Sequence, residues 1–264
     1  MASYWQEMAE SDASDELLTM RDPNQREIEW RVLERLLPPY SNSLLDVGCG
    51  PGTVTRQLTQ FAERVVGIDS APAMLARARK VESTVEWRQA NILDEQDCAR
   101  LGQFDAVVSV RCLINLPSWR AQQVAIENLA RLTRVGGTCI LIEGWGPGRR
   151  ELNVLRRQIG LGAMPDVAYN LNLEPRVFGA LDEWFEVADG PLGTGPYDFL
   201  SRILNALLVG DAEPRYDCEV NRYAAEIQRA IGAAMPQFKW LCNRLIMLGL
   251  RRLPTELPRP TEGA

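Results

Sequence analysis

The stretch Leu44-Leu45-Asp46-Val47-Gly48-Cys49-Gly50-Pro51-Gly52-Thr53 joins an apolar run to three glycines at alternate positions, with an acid two residues before the first. Glycine lets backbone come close to a ligand and takes dihedral angles that other residues resist. Val54, Leu58 and Phe61 then fall on one helical face, so the pattern reads as buried strand, tight turn and helix start. Free N–H groups at a helix start favour a polar or anionic group beside them. A second acid, Asp69, closes the next apolar run, Val65-Val66-Gly67-Ile68. A carboxylate there can accept two donors at once. The plainer reading of Asp69 is a cap for the helix that Pro72 opens.

The chain contains no histidine. The commonest general base and the commonest metal ligand are therefore missing, and no metal site is expected. Any base must be a carboxylate, a tyrosine, a lysine, a cysteine or the substrate itself. Glu143 ends a later apolar run and is the leading carboxylate for substrate binding or proton removal. Arg111, at the end of the run that includes Ser109 and Val110, is a cation suited to an anionic acceptor, and it needs a carboxylate beside it. A structural ion pair is the competing reading. Asn115, Trp145, Tyr169 and Asn170 flank the same expected mouth, where loops carrying polar and aromatic groups converge.

These residues need a scaffold that brings them together. Apolar runs predict strands over roughly 44–47, 64–69, 84–89, 105–110 and 138–143, with helices near 53–62, 72–80 and 117–133 between them. Such alternation implies βαβ units with right-handed crossovers, and ligands at the carboxyl ends of the strands. Pro72 and Pro117 sit at plausible first helical positions. Before this core, residues 1–22 are polar and acidic and read as a frayed tail or a lid. Asp22-Pro23 then looks like a helix cap, and Pro38-Pro39 stops that helix. After residue 144 the pattern loosens into helical stretches near 174–186, 198–209 and 219–234, then a strand at Leu245–Leu250. The proline-rich tail from 253 is expected to be disordered.

Composition narrows the function. The chain has 264 residues, 46% hydrophobic and 24% charged, with a net charge of −6. This is ordinary for a globular chain able to bury a core, and it opposes an electrostatic grip on nucleic acid. Six cysteines form no C-x-x-C pair, which suits reduced thiols and a cytoplasmic location. No signal peptide and no apolar run of membrane-spanning length is found. Monomer and homodimer both stay open.

The glycine turn with Asp46 and Asp69 resembles the class I S-adenosylmethionine-dependent methyltransferases, over about residues 20–145. The resemblance implies an α/β fold: a seven-stranded, Rossmann-like, doubly wound sheet whose last two strands pair antiparallel at the edge. It further implies an N-terminal helical cap (1–40), a cofactor-binding core (41–145), substrate-covering helices with the last strands (146–252), forming a C-terminal helical insertion, and a flexible tail (253–264). The implied cofactor is S-adenosyl-L-methionine. Gly48, Cys49, Gly50 and Gly52 would approach its methionine moiety, with Asp46 toward its ammonium. Asp69 would take the ribose hydroxyls beside Ser70. Asn91, where family members often carry aspartate, and Ile92 would meet the adenine. Ser109 and Val110 would pack near the methyl donor, and Arg21 would reach a cofactor carboxylate. Methyl transfer from a sulfonium mainly requires holding two groups in line and excluding water, with Glu143 and Arg111 in the catalytic roles.

A finer similarity covers about 110–175, carried by Ile114-Asn115-Leu116-Pro117-Ser118-Trp119, Glu143-Gly144 and Leu152-Asn153-Val154-Leu155-Arg156. It points to bacterial small-molecule and saccharide-tailoring methyltransferases. The expected activity is transfer to an oxygen of a small polar or saccharide-like acceptor, with nitrogen as the alternative. A nicotinamide-dependent oxidoreductase fits the G-x-G-x-G spacing poorly, and a non-catalytic binding module fits the intact glycines poorly.

Overall fold

A computed structural model describes residues 2–11, 13–187, 192–210, 215–232 and 240–252. The expected flexible tail, 253–264, lies outside them. Three helices precede the sheet: α1 (Ala2–Ala9), α2 (Asp15–Thr19) and α3 (Pro23–Leu36). Asp22 caps α3 by accepting the Gln25 N–H at 3.1 Å, and proline occupies the first helical position. Both features were legible from residue type.

The central sheet comes next. It consists of β1 (Ser41–Val47), β2 (Ala62–Asp69), β3 (Glu86–Gln89), β4 (Phe104–Val110) and β5 (Thr133–Gly144). Helices α4 (Pro72–Ala78), α5 (Glu95–Leu101) and α6 (Trp119–Leu132) join them. The remainder is α7 (Gly146–Gln158), α8 (Arg176–Asp182), β6 (Phe185–Val187), β7 (Leu192–Gly193) and α9 (Gly195–Phe199). A π turn, Leu200–Leu204, follows, then α10 (Asn205–Val209), α11 (Glu219–Ile231) and β8 (Arg244–Arg251).

The strand order is β3-β2-β1-β4-β5-β8-β6, with β7 also pairing β8, so among the described residues the sheet has eight strands where seven were expected. The five strands β1 to β5 are parallel, while β8 is antiparallel to β5, β6 and β7. Sequence order reverses between β1 and β4. That switch point opens a crevice at the carboxyl ends of the strands. Alternate residues face opposite layers. Leu45, Val47, Val66, Ile68, Val107 and Leu141 pack with α5, α6 and α8, whereas Leu44, Val65, Ala106, Val108, Ile140 and Ile142 pack with α3.

Two local expectations need correction. No α-helix covers 53–62; the chain makes successive turns and one 3₁₀ turn, Gln57–Gln60. Gly52 has φ +80°, and the β-branched run Thr53-Val54-Thr55 has poor helix propensity. Thr55 also spends its hydroxyl on Asp46 at 2.6 Å. Pro117 is not the first residue of α6. Ser118 caps that helix instead, accepting the Ala121 N–H at 3.1 Å.

One buried polar hub joins distant parts of the chain. The Asp22 carboxylate accepts the Tyr197 hydroxyl at 2.8 Å and Arg202 Nη2 at 2.8 Å. Arg202, on the π turn, also faces Asp198 at 3.6 Å. This charge cluster ties the start of α3 to the segment between β7 and β8.

Candidate active site

The principal cleft lies at the β1/β4 switch point and has a volume of about 300 Å³. Its floor is Asp46 near the end of β1 with Gly48, Cys49 and Gly50 after it. Asp69 ends β2 and Ser70 follows it, Asn91 and Ile92 follow β3, and Val110 ends β4 ahead of Arg111 and Cys112. Parallel strands deliver these residues side by side because each βα connection starts at the same edge of the sheet.

The glycine turn is closed on itself. Gly48 and Cys49 N–H groups both donate to the Ile68 carbonyl at 2.9 Å, and the Gly52 N–H donates to Cys49 O at 3.0 Å. Asp69 Oδ2 accepts the Gly50 N–H at 2.9 Å, while Oδ1 accepts the Ala71 N–H at 2.8 Å. The free amides expected at a helix start are thus absent at Gly48, Cys49, Gly50 and Gly52. Gly48 needs its φ of +75°, and a Cβ there would lie 2.7 Å from Cys112 Sγ. Gly52 does not line the cleft; a Cβ on it would strike the Trp87 ring at 2.3 Å. The third glycine therefore serves packing against β3.

Of the two acids here, Asp46 is buried and Asp69 half-buried, and neither has a cation hydrogen-bonded to it. Burial pushes Asp46 up to about 6, although the Thr55 hydroxyl works in the other direction. Asp69 is also raised by burial, against its backbone N–H partners. The Asp69 carboxylate, with about four lone-pair sites, keeps acceptor capacity for a ligand beyond these backbone N–H groups. Asn91 is exposed, and its Oδ1 accepts the Leu93 N–H at 3.0 Å. Met74, Ile92 and Leu116 give this end of the cleft apolar walls.

Arg111 holds the other end. It has φ +57°, the left-handed region that a non-glycine residue enters only under constraint. The constraint is visible. Its N–H donates to Ile142 O at 2.8 Å, and Asn115 Nδ2 donates to Arg111 O at 2.6 Å. Glu143 Oε1 accepts the Cys112 and Leu113 N–H groups at 3.1 and 2.9 Å, while Oε2 accepts the Ile114 N–H at 3.2 Å. Arg111 Nη1 donates to Glu29 Oε2 at 2.8 Å. Glu29 is the neighbouring carboxylate that an arginine in this place requires.

Several expected site residues lie elsewhere. Glu143 does not point into the mouth. It is fully buried beneath the 111–115 turn, and burial pushes it up to about 7. Ser109 is also fully buried, with its hydroxyl 3.4 Å from Glu143. Trp145 is buried against Phe178 and Trp240, away from the cleft. Arg21 is exposed and outside the cleft lining. Asn170 is outside it too, in a loop tied to the Asn115 turn by Leu171 N–H to Ile114 O at 2.6 Å. Tyr169 stacks on Tyr4 at 4.3 Å and meets Trp5 edge-on at 5.6 Å.

Trp5 and Thr19 line the cleft and were not singled out from sequence. The aromatic pair Tyr4-Trp5 in an otherwise polar N-terminal segment was the available signal. That segment is anchored by Arg77 of α4, which donates to the carbonyls of Ala9, Ser11 and Ala13 and pairs with Asp15 at 2.7 Å. Among the described residues no helix is long and apolar enough to cross a membrane, and no His, Cys, Asp or Glu cluster is placed to hold a metal ion.

A family model described as a methyltransferase domain matches residues 44–137. A demethylmenaquinone methyltransferase of Tropheryma whipplei is 30% identical over 172 residues, covering 61% of this chain and 69% of that one. A ubiquinone biosynthesis O-methyltransferase of Pseudomonas paraeruginosa is 30% identical over 133 residues. That match takes in 49% of this chain and spans 55%, about half, of the relative's length. In fold, the chain is similar to the N-methyltransferase NodS of Bradyrhizobium japonicum, solved with S-adenosyl-L-homocysteine. The TM-score is 0.55 at 17% identity, over 96% of this chain and 98% of that one. It is also similar to a putative methyltransferase solved with the Haloferax volcanii Trm112 activator, with a TM-score of 0.60 at 17% identity over 94% and 98% of the two chains. The Rossmann-like sheet, the glycine turn with its two acids and these relatives agree: the chain belongs to the class I S-adenosylmethionine-dependent methyltransferases.

Proposed function

We propose that this chain methylates an oxygen of a small polar or saccharide-like molecule, using the switch-point cleft to hold S-adenosyl-L-methionine. The observation that carries this is electrostatic. The Gly48, Cys49, Gly50 and Gly52 amides are bonded inside the protein, and two acids, buried Asp46 and half-buried Asp69, face the cleft with no cation hydrogen-bonded to them. A pyrophosphate laid on the glycine turn would meet the Asp46 and Asp69 carboxylates and no free amide at Gly48, Cys49, Gly50 or Gly52. A cationic nucleoside finds two carboxylates whose burial it offsets. When bound, the cofactor supplies an electrophilic methyl group.

The protein residues then divide the work. Asp69 offers its remaining lone pairs to the two ribose hydroxyls, beside Ser70. Met74, Ile92 and Leu116 enclose the adenine, with Asn91 at its polar edge. Gly48 and Gly50 keep the floor free of side chains, and Asp46, fixed by Thr55, attracts the ammonium. Val110, Arg111 and Asn115 border the acceptor side. The elements before residue 41 and the segment 146–252 act as cap and cover around the core, excluding water. Glu143 is a positioning residue. It accepts three successive amides and so fixes the turn that presents Arg111 and Asn115.

Calorimetry with S-adenosyl-L-methionine and with NADH tests this directly. We expect the sulfonium cofactor to bind wild type and to bind Asp69→Ala at least about tenfold more weakly, since hydrogen bonds to a charged group contribute roughly 1.5–3 kcal/mol. Binding of NADH in its place would refute the proposal.

A further inference from the structure

Methyl transfer to a neutral hydroxyl requires some group to take its proton. The ionisable side chains lining the cleft are Asp46, Cys49, Asp69, Arg111 and Cys112. Burial raises both thiols well above their ordinary range. Asp46 is engaged by Thr55, and Asp69 by Gly50 and Ala71 on the ribose side. Glu143 is sealed beneath the 111–115 turn. Among the described residues no base stands on the acceptor side.

Arg111 presents the complementary feature. Only Nη1 is paired, to Glu29, and the other Glu29 oxygen serves Arg244 at 3.2 Å, so one carboxylate is shared by two guanidiniums. Nε and Nη2 of Arg111 have no hydrogen-bond partner among the described residues, although the side chain keeps only 11% exposure. Glu29 and, more weakly, Glu143 add negative potential at Arg111, opposed by Arg244 and Arg26. Asn115 Oδ1, on the neighbouring cleft wall, is buried without a partner. Guanidinium donors left this buried without an acceptor are unfavourable until a ligand brings oxygen atoms to them. Arginine's fork suits a carboxylate.

We propose that the acceptor is an organic acid: the open edge of Arg111 receives its carboxylate, and one oxygen of that carboxylate is the nucleophile. This rests on the methyltransferase reading above. The oxygen bonds to the methyl carbon as the carbon–sulfur bond breaks, and the electron pair of that bond stays on sulfur. No proton moves, so no base is required. An anion and a sulfonium become a neutral methyl ester and a neutral thioether, a change that a water-poor cleft favours. The Asn115 oxygen is left to accept a hydroxyl or amide donor elsewhere on the acid. The cofactor's own carboxylate has the same chemistry, and the experiment has to separate the two sources.

Protein saturated with S-adenosyl-L-homocysteine is titrated calorimetrically with benzoate, cinnamate and glucuronate, and with benzamide, cinnamamide and glucose as neutral counterparts. At least one acid should bind about tenfold or more tightly than its counterpart. Arg111→Gln keeps a Cβ at the same left-handed position. It should erase that preference, roughly a 10- to 100-fold loss, and leave S-adenosyl-L-homocysteine affinity within about twofold. Arg111→Lys should restore part of it. With tritiated methyl donor, the preferred acid should yield counts that mild alkali releases as methanol. Equal binding of acids and neutral counterparts, no binding of any acid, or an alkali-stable methyl ether would each overturn the proposal. So would loss of S-adenosyl-L-homocysteine affinity in Arg111→Gln but not of affinity for its decarboxylated analogue, which would give Arg111 to the cofactor. Failure of wild type to bind S-adenosyl-L-homocysteine at all would sink the methyltransferase reading instead.

Discussion

Replacing Glu143 separates a chemical role from a positional one. Among the described residues its carboxylate is the sole partner of three consecutive amides, Cys112, Leu113 and Ile114, at 3.1, 2.9 and 3.2 Å. Glu143→Ala orphans all three. At roughly 1–3 kcal/mol for each buried donor left unpaired, the loss of stability should be at least about 3 kcal/mol. Glu143→Gln keeps one oxygen for Cys112 and Leu113 but sets an amide against the Ile114 N–H, for a loss of about 1–3 kcal/mol. Burial also pushes Glu143 from 4.5 up to about 7. Between those values the native state holds a proton that the unfolded chain has released. The contribution of Glu143 is therefore complete below pH 4.5 and is lost as pH rises through 7. The size is on the order of 3 kcal/mol, at 1.36 kcal/mol per unit. Urea unfolding of wild type and both variants from pH 5 to pH 8 gives the comparison. The stability gap between wild type and Glu143→Gln should narrow as pH climbs, and cofactor affinity should fall along with turnover as the Arg111 turn loosens. A Glu143→Gln protein with wild-type stability at every pH and intact cofactor affinity, but with turnover abolished, would make Glu143 the base and refute this reasoning.

Three other outcomes can be checked. Gly48→Ala should weaken cofactor binding and lower stability by roughly 2–5 kcal/mol, combining a left-handed alanine with overpacking against Cys112; adding Cys112→Gly should recover the overpacking part, as a double-mutant cycle would report. Binding of S-adenosyl-L-methionine near pH 6 should expel protons, because a cation beside Asp46 lowers a group held at about 6; calorimetry in buffers of different ionisation heat should show this release, and affinity should rise with pH from about 5 to 7. Trp5→Ala should speed cofactor dissociation by roughly tenfold or more, given the apolar area that an aromatic wall of the cleft covers, with the unfolding midpoint in the absence of ligand nearly unchanged; stopped-flow displacement measures it.

The sheet was legible because buried parallel strands are written as uninterrupted apolar runs. Leu44–Val47 and Val65–Ile68 sit inside strands, and Asp22-Pro23 marks the start of α3. The segment after the glycine turn misled because Val54, Leu58 and Phe61 share a helical period while the residues between them disfavour a helix. The position of Asp69 and of Gly48–Gly50 at the strand ends was readable because their spacing to those ends is short and fixed. Glu143 was not. The end of a strand tells which residue arrives at the mouth, but not which side of the sheet edge its side chain takes, and three facing amides drew it inward. The Arg111–Glu29 pair spans 82 residues, and contacts of that range leave no periodic trace. The same holds for Trp5, which is held at the cleft by packing with Ala71 and Met74, by Gln6 on the Ala73 N–H and by Arg77 on the carbonyls of Ala9, Ser11 and Ala13.

The hub of Asp22, Tyr197 and Arg202 has a temporal side. During synthesis Asp22 leaves the ribosome some 175 residues before Tyr197. Until then its carboxylate can cap α3 but has no guanidinium to answer it, and the outer edge of β5 waits longer still for β8. A nascent chain stalled just after β5 should therefore resist proteases along its parallel strands while staying cleavable ahead of α3, and it should gain protection there only once the π turn has emerged.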